Sequence, residues 1–390
     1  MALPLIYNLR NVQQRPISTL TTAFGVGLTV SIFIGALALA AGFRASLVNT
    51  GSPANAIALR KGADSEISSG IQREAVSILR AHPEVAAGAD GRPLATADLL
   101  VIINKDRLGM KGSSNISVRG VDPSGIAVRA DIKILPGGRN FTPGTDEVIV
   151  GRRIGSRFAN CAVGDRLELQ QRTFNVVGHF EAGGSAFESE IWGDAAVLGP
   201  ALGRENTFQT VTFRMKDPAR FAALKAELEK DPRLQIQLKR ERDFYAEQSE
   251  LFTGLITGIG VFITLIMAIG AIFGAANTMY ATIGSRTREI ATLLVLGFRP
   301  RSIMFSFLIE SVLICLLGGV IGCLLSLPIN GIATSTTNFQ SFSEVGFAFK
   351  VTPEALVSGL VFSALLGIIG GFFPARRASK QIPARALRGE

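Results

Sequence analysis

Cysteine, histidine and tryptophan are scarce in this chain, with 3, 2 and 1 among 390 residues. Cys161, Cys315 and Cys323 form an odd set without ligand spacing, and the last two fall inside an apolar run. That pattern supports neither a disulfide framework nor a metal site. His82 and His179 stand far apart in sequence, which suits local structural or surface roles. No GxxxxGK[ST] segment is present, so these residues are not expected to hydrolyse a nucleotide by themselves. HExxH is absent, and the many serines and aspartates come without a G-x-S-x-G elbow. A catalytic role for the chain is therefore not expected. The first apolar run is not expected to be a cleavable signal peptide either. It starts late, is long, and lacks a small-x-small cleavage site.

Charge is also sparse, at 18% of residues, whereas 47% are hydrophobic. The apolar residues come in blocks. Thr19–Phe43 is uncharged, and Ser249–Ser285 is interrupted only by Glu250. Two further uncharged runs lie between Glu310 and Glu344 and between Glu354 and Arg376. Each exceeds the roughly 20 apolar residues needed to cross hydrocarbon as a helix, and a helix is required because lipid offers no partners for backbone groups. The expected fold class is an α-helical membrane protein with four transmembrane helices, at about 19–43, 251–283, 303–326 and 355–373. A large α+β extracytoplasmic domain with a β-rich insertion lies between the first and second.

The formal charge of +9 is unevenly placed. The insert, about 44–250, is nearly balanced in sign. Arg10 and Arg15 precede the first span; Arg286, Arg288, Arg299 and Arg301 lie between the second and third; Arg376, Arg377, Lys380, Arg385 and Arg388 follow the fourth. The loop at 327–354 is poor in charge. The positive-inside rule puts both termini and the 284–302 loop in the cytoplasm, and the insert outside. Anionic headgroups account for the basic excess beside the spans, so nucleic acid is not an expected partner. Residues 1–18 repeat Leu5, Leu9 and Val12 at helical spacing, which suits an amphipathic helix on the inner membrane face.

Within the insert, Asn55–Arg60 reads as a strand and about 71–81 as a helix with Ile71, Ala75, Ile78 and Leu79 on one side. A similar order returns near its end. Val211–Met215 alternates, Pro218 can open a helix containing Phe221, Leu224 and Leu228, and Leu234, Ile236 and Leu238 alternate again. Two such units at opposite ends imply one α+β part, about 55–115 and 206–245. The middle, about 116–205, is β-rich. Short runs such as Glu147–Val150, Arg166–Leu169 and Phe174–Val177 are separated there by Gly, Pro and Asp. In the second span Gly254, Gly258, Gly270 and Gly274 lie four apart in pairs, which permits close helix contact or reflects only the glycine content common in such helices.

The segment from Asn277 to Ile303 reads as the end of one span, a short helix and the start of the next. Ile290, Leu293, Leu294 and Leu296 supply an apolar face, Arg286, Arg288 and Glu289 the charges, and Gly297 with Pro300 an end and a change of direction. That pattern suits docking to a partner. Glu310 lies about two turns into the third span, where an ionisable group is costly and often functional. It is a candidate for an intramembrane polar role, or for an interfacial ion pair with Arg301 or another basic group.

These segments resemble the permease subunits of ABC transporters in the MacB/FtsX-like group, the mechanotransmission or type VII architecture. The resemblance runs through Asn8-Leu-Arg-Asn11, Asp146-Glu-Val-Ile-Val-Gly151, Val163-Gly-Asp165 and Arg286-Thr-Arg-Glu-Ile290, and closes with Phe373-Pro-Ala-Arg-Arg-Ala378. Ser285 and Ala291 depart from the acidic residue and the glycine usual in the hallmark loop. The resemblance implies a permease of an ATP-driven exporter or extraction complex. The other role known in the family is a transmitter of force or signal to an extracytoplasmic enzyme, with no transport. It implies two copies of a separate ATPase that bind ATP and Mg, with no cofactor in this chain, and residues 286–302 as the coupling helix. The other implied partners are a second permease, most simply a homodimer, and a periplasmic adaptor or membrane-fusion protein. The implied location is the bacterial inner membrane.

Overall fold

The structure, a computed structural model, describes residues 16–382 except 110 and 171. The amphipathic segment before Pro16 and the basic residues after Ile382 lie outside the described residues. In chain order the first elements are α1 (Pro16–Val48), β1 (Asn55–Arg60), β2 (Ile71–Gln72), α2 (Arg73–Arg80), β3 (Ala95–Asp106), β4 (Ser113–Val121), α3 (Gly125–Val128) and β5 (Lys133–Ile134). Then follow β6 (Glu147–Gly151), α4 (Arg152–Gly155), β7 (Arg166–Leu169), β8 (Arg172–Glu181), β9 (Glu190–Asp194), α5 (Ala195–Ala201), β10 (Thr207–Phe208) and β11 (Thr210–Arg214). The last are α6 (Phe221–Leu228), β12 (Ile236–Arg240), α7 (Glu241–Ser285), α8 (Thr287–Val295), α9 (Pro300–Ser326), β13 (Ala333–Thr337), β14 (Glu344–Ala348) and α10 (Pro353–Ser379).

Four of these helices, α1, α7, α9 and α10, are long and apolar enough to cross a membrane. Their sequences explain where two of them begin. Pro300 and Pro353 stand in first-turn positions that need no backbone N–H, and the Thr352 hydroxyl caps α10 by accepting the Ala355 N–H. The chain divides into two compact units. One comprises residues up to Gly42, Gly254–Ile332 and those from Phe349 onward; the other comprises Phe43–Thr253 and Ala333–Ala348.

In the membrane unit, glycines let the helices approach. A Cβ at Gly318 would meet the Ala23 carbonyl oxygen at 2.6 Å, and one at Gly322 the Gly27 carbonyl oxygen at 2.7 Å. These two positions, four apart, seat α9 on α1. Gly367 and Gly371 do the same for α10 against Val312 and Ser311 of α9, where the Ser311 hydroxyl donates to the Gly367 carbonyl at 2.8 Å. The second-span glycines Gly254, Gly258, Gly270 and Gly274, whose spacing permits close helix contact, have no neighbour within 4 Å of a would-be Cβ among the described residues. The buried seam of α7 is instead Gly260, Thr264, Ala268, Ala275 and Met279. The opposite side, including Ile259, Phe262, Ile266 and Phe273, is uncovered.

The other unit is built on a 10-stranded sheet of order β12-β1-β11-β3-β4-β9-β6-β8-β5, with β7 paired to β8. The first four strands with α2 and α6 form a split β-α-β arrangement made from both ends of the insert. Alternate residues of β1 serve two cores. Ala56 and Ala58 join the cluster under α2 and α6, while Ile57 and Leu59 join Trp192, Phe244 and Tyr245 on the other face. A strand covered on both faces reads as a continuous apolar run rather than an alternation. Strand β3 continues from this lobe into the next. Ala95–Asp98 pairs with β11, and Leu99–Asp106 pairs with β4. Beyond it, β4, β6, β8 and β9 enclose the third core, filled by Phe158, Phe174, Ile191 and Leu198. The hairpin β13–β14, from the loop between the third and fourth spans, belongs to this same unit.

Candidate functional site

Helix α8 is closed at one end by backbone geometry and anchored at the other by a side chain. At its C-terminus Gly297 adopts φ +89°. Its N–H donates to the Leu294 carbonyl at 3.1 Å, and that of Phe298 to Leu293 at 3.1 Å. This is the paired closure that a left-handed residue makes possible, and glycine adopts it without a Cβ penalty. At the other end Arg286 touches three residues on two helices. Its Nε donates to Glu289 Oε2 at 2.8 Å, its Nη1 to Glu310 Oε2 at 3.2 Å, and its guanidinium lies 5.2 Å from the Phe307 ring centroid. Glu310, only 3% exposed, therefore pairs with the arginine that precedes the short helix rather than with Arg301. An ion held this way spans α8 and α9 and needs no water.

The sequence-derived face of α8 divides in two. Ile290 is buried against Met279, Ile283, Ile303 and Phe307, and Leu293 and Leu294 pack on the same cluster half-covered. These residues fix the helix to its own spans, so Ile290 is not available as a docking contact. The outward surface consists of Arg288, Glu289, Thr292, Val295 and Leu296. Val295 and Leu296 are 64% and 70% exposed and adjacent on this surface. Ala291, where a glycine was expected, is fully buried.

The second constellation was not visible in the sequence. In the sheet unit, Arg119 and Arg129 lie buried among Glu66, Asp98, Glu190 and Glu241. Arg119 makes bidentate pairs with Glu66 at 2.8 and 2.9 Å and with Glu190 at 2.7 and 2.9 Å, and reaches Asp98 at 3.2 Å. Arg129 donates to Asp98 at 2.6 Å and to Glu241 at 2.9 Å. Both guanidiniums face the Phe187 ring, at 5.3 and 5.0 Å. The other Glu241 oxygen accepts from the Asn55 side-chain amide at 2.8 Å and the Ser52 N–H at 3.0 Å. Tyr245 donates to Glu66, and Trp192 donates to Glu190.

Fork-to-fork pairing of this kind is what makes a buried ion tolerable. Four carboxylates nevertheless surround two arginines. Burial pushes the Glu190 carboxyl above its ordinary value despite the charge of Arg119, and the neighbouring Glu66 adds to the rise. Burial also raises the Tyr245 phenol, which stays a donor. A sequence signal existed in principle, since Asp98 directly precedes the apolar run Leu99–Ile103 and Arg119 follows Val118 within a strand. Their ionic partners are 21 to 71 positions away, beyond the reach of local pattern. A similar pair ties the hairpin. Glu344 lies 2.5 Å from both Arg107 and Arg157. Among the described residues no cluster of histidine, cysteine, aspartate and glutamate is arranged to hold a metal ion.

This set of parts defines a membrane protein with a periplasmic-type domain between its first two spans and a short, well-anchored helix between its second and third. Residues 19–231 match the family described as MacB-like periplasmic core domain, and residues 261–383 match the FtsX-like permease C-terminal family. The chain belongs to the MacB/FtsX-like permease family. It is 31% identical over 235 residues to macrolide export ATP-binding/permease protein MacB 1 of Aeromonas hydrophila, covering 57% of this chain and 34% of that protein. It is 32% identical over 211 residues to MacB of Burkholderia cenocepacia, covering 52% and 30%. The chain thus spans about a third of the length of these curated relatives. Among solved structures, the periplasmic region of MacB from Actinobacillus actinomycetemcomitans aligns with a TM-score of 0.38 and 11% identity, covering 50% of this chain and 93% of that one.

Proposed function

We propose that this chain is the permease subunit of an ATP-driven ABC export or extraction complex, which converts the motion of a cytoplasmic ATPase into movement of its periplasmic domain. Helix α8 carries this reading. It is fixed inward by Ile290 and by the Arg286–Glu310 pair, closed by Gly297, and presents a compact outward face of Arg288, Thr292, Val295 and Leu296. A rigid lever needs a firm inner side and a free outer side, and α8 has both. ATP and Mg belong to the partner in this reading, for the 390 residues contain no phosphate loop. The basic loop around α8 faces the cytoplasm and the sheet unit the periplasm of a bacterial inner membrane. The uncovered side of α7, with its open glycines, suits a second permease copy. A periplasmic adaptor completes the assembly.

The test is purification of the full chain from membranes with its bound ATPase. Leu296→Glu and Val295→Glu are expected to reduce ATPase co-purification and stimulation, while Leu293→Glu disturbs the chain's own packing. Unchanged complex formation in both outward variants removes α8 from the docking role. The proteins and lipids retained by the wild-type complex separate the two roles open to the family: adaptor or cargo supports export, whereas a cell-wall hydrolase without cargo supports force transmission alone.

A further inference from the structure

A cleft of about 320 Å³ opens in the sheet unit between α2 and α5, far in sequence from α8. Its floor is apolar. Val76, Leu99 and Ala195 are 3%, 1% and 6% exposed, and Phe208 and Pro200 close the sides. Its rim is cationic, with Arg73, Arg80 and Arg204 converging on the opening.

The two acidic residues at the cleft do not balance these charges. Asp122 is committed: it takes the Ala97 N–H at 2.7 Å and pairs with Arg80. Glu205 offers its backbone carbonyl to Arg73 at 3.0 Å. The Arg73 guanidinium also lies 5.9 Å from the Phe208 ring centroid, the placement that presents both a flat apolar face and a charge to one ligand. The Arg80 Nε is buried and has no hydrogen-bond partner among the described residues. Burial pushes the Arg80 guanidinium below its ordinary value against the opposing charge of Asp98, and Arg73 adds to the fall. Asp122 answers Arg80, whereas Arg73 and Arg204 pair with no carboxylate among the described residues and leave positive charge at the rim over an apolar floor.

We propose that this cleft binds a small amphipathic anion, a carboxylate or phosphate monoester attached to a compact apolar body. The volume falls at the small end of ligand sites, which suits one ring system or short chain rather than a whole polypeptide surface. Arginine forks at the rim select the anionic group, and the floor of Val76, Leu99 and Ala195 with the Phe208 side selects the body. The site does not depend on the ATPase or on α8, so it stands or falls apart from the coupling proposal.

The full chain in phosphatidylcholine nanodiscs is titrated with 2-naphthoate and with 1-naphthyl phosphate, using saturation-transfer NMR and subtracting empty nanodiscs. Saturable binding of either anion is expected, with the preferred one identifying the headgroup. Naphthalene-2-carboxamide and inorganic phosphate, each lacking one half of the ligand, are expected to bind at least roughly tenfold more weakly. The rim variant R73Q/R204Q should lose about tenfold in affinity, and Ala196→Phe, which fills the exposed mouth, should abolish binding. Trp192 fluorescence confirms that both variants remain folded. Absence of saturable binding by both anions overturns the proposal. So does equal binding of the neutral amide or of inorganic phosphate, or an affinity unchanged by both substitutions.

Discussion

Arg129 Nε lies 2.9 Å from Glu241 Oε1, which joins the first residue of a 45-residue helix to the centre of a buried charge network. Glu241 is fully buried, and its helix runs without interruption to Ser285, the residue before Arg286. At 1.5 Å per residue that is roughly 67 Å of continuous helix, about twice the ~30 Å of a hydrocarbon core.

Replacing Arg129 by leucine leaves Glu241 and Asp98 buried without their shared cation. The expected cost is about 3–5 kcal/mol in unfolding of the sheet unit. The single tryptophan is a convenient reporter, because Trp192 is fully buried and 5.5 Å from the Arg129 guanidinium. A fluorescence melting temperature that matches wild type counts against the network as a structural clamp.

Glu190 gives the sheet unit a pH dependence with a definite sign. Its folded carboxyl is raised above the ordinary value of 4.5 by burial, so the folded state holds the proton more tightly than the unfolded chain. That stabilisation is complete below the ordinary value and is lost as pH rises through the raised one. Melting temperature measured upward from pH 4.5 should therefore decline more steeply in wild type than in Glu190→Gln, which cannot ionise. Parallel profiles contradict the assignment.

The β13–β14 hairpin depends on one carboxylate. Burial alone raises the Glu344 carboxyl, but hydrogen bonds from Ser114 and Ser335 and the charge of Arg157 bring it below its ordinary value. Glu344→Gln leaves Arg107 and Arg157, each about a third exposed, without their anion. A loss of about 2 kcal/mol is expected after allowing for solvent screening. Hydrogen exchange should accelerate first in Ala333–Thr337; uniform protection across the unit tells against a local anchor.

Glycines separate internal packing from outward packing. Gly318→Leu forces a side chain into the Ala23 carbonyl and should sharply lower the yield of folded protein from membranes. Gly258→Leu meets open space in this chain and should leave the yield intact. Size-exclusion chromatography of Gly258→Leu then reports on a second copy, since a dimer built on that side of α7 shifts toward monomer.

The four spans were legible because absence of charge over 20 or more residues has few other causes. The paired strand–helix–strand ends were legible from Leu234, Ile236 and Leu238 and from the helix opened by Pro218. The hairpin at Ala333–Thr337 was not, because Ala-Thr-Ser-Thr-Thr carries no apolar alternation and owes its place to Glu344. At α8 the periodicity revealed an apolar side but could not say what that side meets. Ile290 meets the chain's own Ile303 and Phe307, leaving the less periodic Val295 and Leu296 outside. The charge network was hidden because ion pairs such as Arg129–Glu241 join residues over 100 positions apart.

Strand β3 hydrogen-bonds to β11 through Ala95–Asp98 and to β4 from Leu99 onward, with no residue between the two ladders. The two lobes therefore share a seam of covalent backbone with no slack. They cannot swing apart like doors on a loop. A displacement imposed on one passes to the other as a tilt of the same strand, and the sheet behaves as a plate with a single rim.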